Sequence, residues 1–445
     1  MPSIAPFQGI RYAAGPSTSS FLAPPYDVVT PGLREKLAAR SPYNVIHLTL
    51  DARRPSDRPG DDRYSRAAAR LGEWLQRGTL RRDPRPALYP LEQTFVAPDG
   101  RQRVRRALLA AVRLHDYAEG IVLPHERTLA APLADRLELV RQTRANLSPV
   151  FALYEDERNE ALTAISGAFA ADPVQTADTD DGVHHRLWRL EDPAIVEAVR
   201  GKLADRKLLI ADGHHRYGAA LGYRDELDRQ DPGLPVDGGH RWVLMALCSM
   251  DDPGMVIYPT HRLLSRLPGF RSADVLARLG QYFTVETLSE DIRWPSGRAW
   301  AVSRLGEHLG KSSAFLMVTA DDQKARILKL REEADLAGMP LPASENLRAL
   351  DVTVLHGVVF QGLLGMSPES QQQQENLEYV KDAGEAVTRT LAGDCQAAFL
   401  LNPTPMWQVQ AVAESGETMP QKSTWLHPKI PAGLVIRAID PRGPP

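Results

Sequence analysis

Apolar positions recur along this chain at two spacings, and the switches between them mark where strands give way to helices. Near the start, Thr30 followed by Pro31 signals a helix through residue 40, and residues 64–77, closed by Gly78, predict a second. Residues 87–97 and 104–112 flank the turn Pro98-Asp-Gly100 and read as an antiparallel hairpin. A helix over 133–145 leads to a strand over 149–154. The apolar run 208–211 is a short buried strand, and Tyr217, Ala220, Leu221 and Leu227 form one face of the helix after it. Strands follow at 242–248 and 255–258 around Asp251-Asp-Pro-Gly254, then at 314–319 and 325–330. The last stretch predicts an amphipathic helix over 353–364, a polar surface linker over 370–376, a helix over 383–391, and strands at 397–401 and 434–437.

This order of elements predicts an α/β protein with mixed sheets. At 445 residues the chain is too long for one ordinary core of roughly 150 residues. The pattern suggests an N-terminal α/β region over 1–120, a central core over 121–345 and a C-terminal α/β region over 346–445. No solenoid or propeller period recurs.

Composition narrows the class. Hydrophobic residues make up 43%, charged residues 24%, and the formal net charge is -3, a globular profile without a nucleic-acid footprint. The basic run Arg101-Gln-Arg-Val-Arg-Arg106 reads as a solvated strand edge. Cys248 and Cys395 lie in apolar runs, so buried thiols are expected, as in a reducing compartment. No stretch of about 18 apolar residues and no basic, apolar leader occurs, so neither membrane insertion nor secretion is expected and a cytoplasmic location is. The partner expected is a small molecule, neither nucleic acid nor membrane, with the oligomeric state left open. Only 9 of the 53 basic residues are lysine, which draws attention to Lys422 and Lys429.

The densest chemistry lies at Asp212, Gly213, His214, His215 and Arg216, where the buried strand meets a helix. Unpaired N–H groups and the helix dipole favour an anion there. Arg216 offers a planar fork for phosphate, while His214 and His215 can donate to an anion or carry a proton. The bland alternative is an Asp N-cap with two histidines that satisfy buried backbone. Upstream, His125, Glu126, Arg127 and Thr128 follow a proline turn. Glu126 is either a general base for a hydroxyl nucleophile or part of a capping network. Arg144, Asn146 and Ser148 lie just before a strand and add polar groups. Tyr26 and Asp27 follow two prolines. Thr260, His261 and Arg262 follow a strand, and Lys422, Ser423, Thr424 and Lys429 supply hydroxyls and cations for an anion. His184-His185 reads as an exposed polar turn. No zinc spacing appears, whereas Asp212 or Asp27 is a candidate to hold magnesium. There is neither a Walker loop nor a dinucleotide fingerprint.

Six segments carry a resemblance: Pro24-Pro-Tyr-Asp-Val-Val29, Leu123-Pro-His-Glu-Arg-Thr128, Thr143-Arg-Ala-Asn-Leu-Ser-Pro149, Ala211-Asp-Gly-His-His-Arg-Tyr217, Pro259-Thr-His-Arg262 and Met419-Pro-Gln-Lys-Ser-Thr424. Together they resemble the domain-of-unknown-function family 1015. The middle region resembles, more distantly, the ParB/sulfiredoxin-like fold of free serine kinases. That resemblance implies a ParB-like core that moves a phosphoryl group from pyrophosphate, ADP or ATP, with Mg2+, to the hydroxyl of free L-serine. It implies Glu126 as the base, Asp212 as the residue that positions magnesium or the transferred group, and His214, His215 and Arg216 as phosphate holders. One departure stands out: Pro132-Leu133 occupies the place where relatives carry Pro-Lys. The alternative is a non-enzymatic sensor of a nucleotide or phosphorylated metabolite.

Overall fold

Tyr89–Val96 and Gln102–Arg113 form the expected hairpin, and a nine-stranded sheet is built around it. The structure is a computed structural model that describes residues 1–13, 15, 17–420 and 422–445. One edge of Gln102–Arg113 pairs antiparallel with Trp242–Ser249, which runs parallel to Val150–Tyr154. Leu208–Asp212 is antiparallel to Val150–Tyr154 and parallel to the short strand Val122–Leu123. Beyond Tyr89–Val96 come His184–Leu187 and Gln175–Asp178. The sheet is therefore mixed, as the sequence predicts.

Both faces of this sheet are covered. On one, Ala110, Val112, Val150, Ala152, Leu208, Ile210 and Val243 pack with Val199 and Tyr217. A second apolar cluster joins Trp74, Leu139, Leu147 and Ile436. Two helices, Ala130–Thr143 and His214–Gln230, pack closely because glycines on the second face leucines on the first. A Cβ at Gly218 would lie 3.0 Å from the Leu133 side chain, and one at Gly222 would lie 3.5 Å from Leu137.

The chain divides into two compact units, Met1–Val256 with Pro428–Pro445, and Ile257–His427. The second is thus an insertion within the first. This division replaces the boundaries expected near residues 120 and 345. Hydrogen bonds between Gln102–Arg113 and Trp242–Ser249 span the former, and those between Ala314–Thr319 and Ala397–Leu401 span the latter. Such pairings are non-local and leave no mark in composition.

The inserted unit holds a six-stranded sheet in the order Phe283–Thr287, Ala325–Leu330, Ala314–Thr319, Ala397–Leu401, His261–Leu264, Leu377–Val380. Leu263, Leu316, Val318, Ile327, Val387 and Leu400 are in its core. The helix expected over 353–364 is a short α-helix, Asp351–Val354, that widens into a π-helix over Leu355–Leu363. An apolar stripe this short does not distinguish the two periods.

Three further expectations are corrected. Residues 370–376 are not a linker: Pro368–Gln373 is a helix, started by Ser367 as N-cap with proline in its first turn. His184 and His185 do not form an exposed turn but begin a strand, with His185 buried. The run 101–106 is a solvated edge only in part: residues 101, 102 and 104 are exposed, whereas Arg105, paired with Gln93 across the hairpin, is fully buried. Both cysteines are buried and free, as expected. Among the described residues no helix is long and apolar enough to cross a membrane.

Arg437 shows how the inserted chain's return is fastened. It is 1% exposed and donates to the carbonyls of Trp242 (2.9 Å) and Gly239 (2.7 Å) and to Asn146 Oδ1 (3.2 Å). Burial pulls its guanidinium down to about 9. Arg437→Ala removes three buried charge-assisted hydrogen bonds and is expected to cost about 3–5 kcal/mol. Arg442→Ala, which removes an exposed pair with Asp231, should cost under about 1 kcal/mol. Denaturant midpoints of the two variants check this; equal losses would contradict it.

Candidate functional site

Leu208–Asp212 carries a register irregularity between Ile210 and Asp212, which sets Asp212 opposite Phe151. Such a bulge re-aims the side chain that follows it. The helix begins two residues later, at His214, with Gly213 as its N-cap at φ 92°. The junction is therefore tighter than the sequence suggests: His214 and His215 are helical residues and the loop is Gly213 alone. Glycine is required twice over. Its φ is left-handed, and a Cβ would lie 2.8 Å from the Arg216 guanidinium carbon.

Asp212 is buried, yet both of its oxygens meet cations. Oδ2 accepts from Arg216 Nη2 and Oδ1 from Lys429 Nζ. Burial alone raises a carboxyl pKa, but Lys429 and Arg216 outweigh it and hold Asp212 far below the usual carboxylate range. Two cations meet one buried carboxylate at a helix N-terminus, a setting that suits an anionic ligand. Arg216 Nη1 also donates to the Pro149 carbonyl and reaches Ser148 Oγ at 3.5 Å, while its buried Nε has no partner among the described residues.

The two helical histidines dock the Glu126 loop. His214 Nε2 accepts from the His125 N–H at 3.2 Å, and His215 Nε2 accepts from the Leu129 N–H at 2.9 Å. His125 in turn directs Nδ1 at the Ile210 carbonyl, 2.6 Å away, and meets the His214 ring edge-on with centroids 4.7 Å apart. An imidazole that accepts through Nε2 carries its proton on Nδ1. Burial, then the neighbouring His125, pushes His214 well below its ordinary value, and burial likewise lowers His125. The expectation that His214 and His215 donate to phosphate is thus narrowed, because Nε2 of each is engaged in holding backbone. Glu126 sits half-buried between the two docked amides, and its charge acts on His125.

A small cavity of about 30 Å3 lies beside Arg216 in the same unit. Thr49, Arg136, Asn146 and Ser148 supply its polar wall, and Leu139, Leu147 and Val150 its apolar one. The Arg136 guanidinium lies 4.0 Å from the Tyr26 ring centroid, and burial pushes the Tyr26 hydroxyl up to about 12.

The expected residues are thus sorted. Glu126, His125, Asp212, Gly213, His214, His215, Arg216, Ser148 and Lys429 come together, with Tyr26 within electrostatic reach of Arg216. Asp27, Arg127, Thr128 and Arg144 are exposed. Asn146 is spent on Leu244 N–H and Arg437. Within the inserted unit, Arg262 donates to the Thr260 and Lys422 carbonyls and to His356 Nε2, and His261 Nδ1 accepts from Leu401 N–H. Ser423 and Thr424 are buried beside that loop, and Ser423 Oγ donates to the Pro420 carbonyl. Gln421 of the same motif lies outside the described residues. Sequence reasoning misses Arg136 and Gln93 and assigns Arg105 to a solvated edge. A signal for the last two exists: they face each other across the hairpin.

The neutral histidines give the site a pH dependence. Above pH about 6.5, folded and unfolded chains both hold them uncharged. Below it, the unfolded chain takes protons that the folded one refuses, so stability falls as pH drops toward the folded pKa. Each such histidine adds up to about 1.4 kcal/mol per pH unit to that slope. Denaturant midpoints between pH 8 and 5 should fall on acidification, and His214→Gln should flatten the fall by about one proton. An unchanged slope in that variant would contradict the account.

Similar proteins place the chain in a family. No curated protein matches the sequence. Among solved structures, a free serine kinase variant in complex with ADP is similar at 11% identity, with 76% of this chain and 93% of that chain covered and a TM-score of 0.36. A conserved hypothetical protein from Pyrococcus furiosus matches at 14% identity, 75% and 95% coverage and a TM-score of 0.34. C-terminally truncated SbnI from Staphylococcus aureus matches at 11% identity, 76% and 87% coverage and a TM-score of 0.31. The family model described as protein of unknown function (DUF1015) matches residues 4–353, and the chain belongs to that family.

Proposed function

We propose that the protein is a cytoplasmic small-molecule kinase that moves a phosphoryl group from pyrophosphate, ADP or ATP to the hydroxyl of free L-serine or a similar metabolite. The observation that carries this reading is the buried Asp212 carboxylate with two cations on it, at a helix N-terminus to which the Glu126 loop is docked. Phosphoryl transfer asks a protein mainly for alignment and for charge stabilisation. Arg216, Lys429 and the first N–H groups of the His214 helix supply the positive field. Asp212 holds both cations in place.

Glu126 takes the proton of the acceptor hydroxyl as its oxygen bonds to the terminal phosphorus of the donor. The bond from that phosphorus to the bridging oxygen breaks, and the departing phosphate or nucleotide carries the electron pair into the positive field. Ser148 and Arg136 line a small cavity beside Arg216 and face the acceptor's side of this corner. Leu133, where relatives carry lysine, belongs to the contact with Gly218, so Lys429 and Arg216 take the donor's charge in this chain.

The reaction class brings magnesium with it, yet the residues fit a dedicated site poorly. Both Asp212 oxygens are occupied by cations, and among the described residues no three His, Cys, Asp or Glu side chains gather to hold a metal. Magnesium keeps most of its waters and binds substrate phosphates. No protein cage is assigned to it.

Incubation with L-serine, Mg2+ and each donor in turn, followed by phosphorus NMR, should yield phosphoserine. Glu126→Gln should lower turnover about 10²–10⁴-fold while leaving pyrophosphate binding in place. Absence of product with every donor would overturn the reading, and tight nucleotide binding in that case would mark a phosphate-ligand sensor instead. Unchanged turnover in Glu126→Gln would remove Glu126 from the mechanism.

A further inference from the structure

We propose that Arg105 and Gln93, buried in the large sheet, are the positioning residues that deliver Lys429 to Asp212. The two face each other directly in the hairpin, and their side chains are joined: Arg105 Nε donates to Gln93 Oε1 at 3.2 Å, and Nη2 donates to the same oxygen. Both then reach one short piece of backbone. Arg105 Nη2 donates to the Pro428 carbonyl, and Gln93 Nε2 donates to the Lys429 carbonyl at 3.1 Å. Those carbonyls belong to the two peptide planes on either side of the Lys429 α-carbon. Fixing both planes fixes the direction in which the lysine side chain leaves the chain.

The rest of the network sets the direction of the Gln93 amide. Its Nε2 donates to His185 Nδ1 at 3.3 Å, and His185 Nε2 lies 3.0 Å from Thr179 Oγ1. An imidazole kept neutral by burial accepts there, so the glutamine nitrogen faces His185 and Lys429 while its oxygen faces Arg105. The Arg105 guanidinium also lies 4.6 Å from the centroid of Phe151, the residue paired with Asp212 across the sheet. One buried cation thus touches the strand paired with the one that carries Asp212, and the segment that carries Lys429.

A structural filler would not need this chemistry. No carboxylate pairs with Arg105 among the hydrogen bonds and ion pairs of the described residues, and an apolar side chain of that size would serve a sheet interior as well or better. What the guanidinium provides is a fork aimed at the segment where the chain re-enters the first unit, one residue before Lys429. The kinetic consequence rests on the proposed kinase reading; the geometric one does not.

Trace acetylation of the whole folded chain with acetic anhydride, read lysine by lysine by mass spectrometry, tests the placement without any substrate. Lys429 should be among the least reactive of the nine lysines. Arg105→Met should raise its reactivity at least about tenfold with the other eight unchanged. Gln93→Leu, which leaves Arg105 in place, should raise it less, and Arg105→Lys should restore part of the protection. In pyrophosphate titrations, Arg105→Met combined with Lys429→Met should bind no more weakly than Lys429→Met alone, because one residue acts through the other. Unchanged Lys429 reactivity in folded Arg105→Met or Gln93→Leu would overturn the proposal, as would additive losses in the double variant. A chain that makes no phosphoserine yet shows the selective labelling would sink the kinase reading and leave this one standing.

Discussion

A carboxylate taken out of water must be compensated, and at Asp212 the compensation comes from two cations rather than one. Burial of a single charge costs several kcal/mol, and paired charges repay that only with close geometry and full hydrogen bonding. Here Arg216 arrives from one helical turn ahead and Lys429 from 217 residues away. The surrounding sequence serves that meeting. The strand irregularity before Asp212 aims its side chain, Gly213 lets the helix start at once, and the absence of a Cβ there leaves room for the Arg216 guanidinium. The net result is a positive, partly dry corner with oriented N–H groups.

The same helix start organises the second half of the site. A histidine protonated on both nitrogens has no acceptor to offer. Burial keeps His214 neutral, so its Nε2 can receive the His125 amide, while His215 receives that of Leu129. The loop that presents Glu126 is therefore held by backbone contacts at both ends. Asp212 and Glu126 are linked through this arrangement without touching each other: the helix that Asp212 precedes is the one that docks the loop. Two histidines that look like phosphate donors in the sequence act first as architecture.

Much of this was legible from residue order. The strand into Asp212, the helix after it and the glycine between them follow from periodicity and from a residue that tolerates positive φ. The hairpin, the strands at 314–319 and 325–330 and the helix at 383–391 are local patterns and appear where expected. What stayed hidden is non-local. Nothing near Lys429 names Asp212 as its partner, and strand pairing across residues 120 and 345 erases boundaries that composition suggests. Arg105 misled for a different reason: a run of arginines resembles a wet edge unless the neighbours that bury it are known. The histidine pair at 184–185 failed in the same way, since polarity alone cannot show that a strand lies on both sides.

Under the proposed reading, the two cations on Asp212 make this corner an anion cradle. Calorimetric titration of inorganic pyrophosphate into the protein and into Lys429→Met tests it most directly. The unaltered chain should bind measurably and the folded variant at least about tenfold more weakly, with the difference shrinking as salt is raised. Equal affinity in the two proteins, or no binding by either, would contradict it.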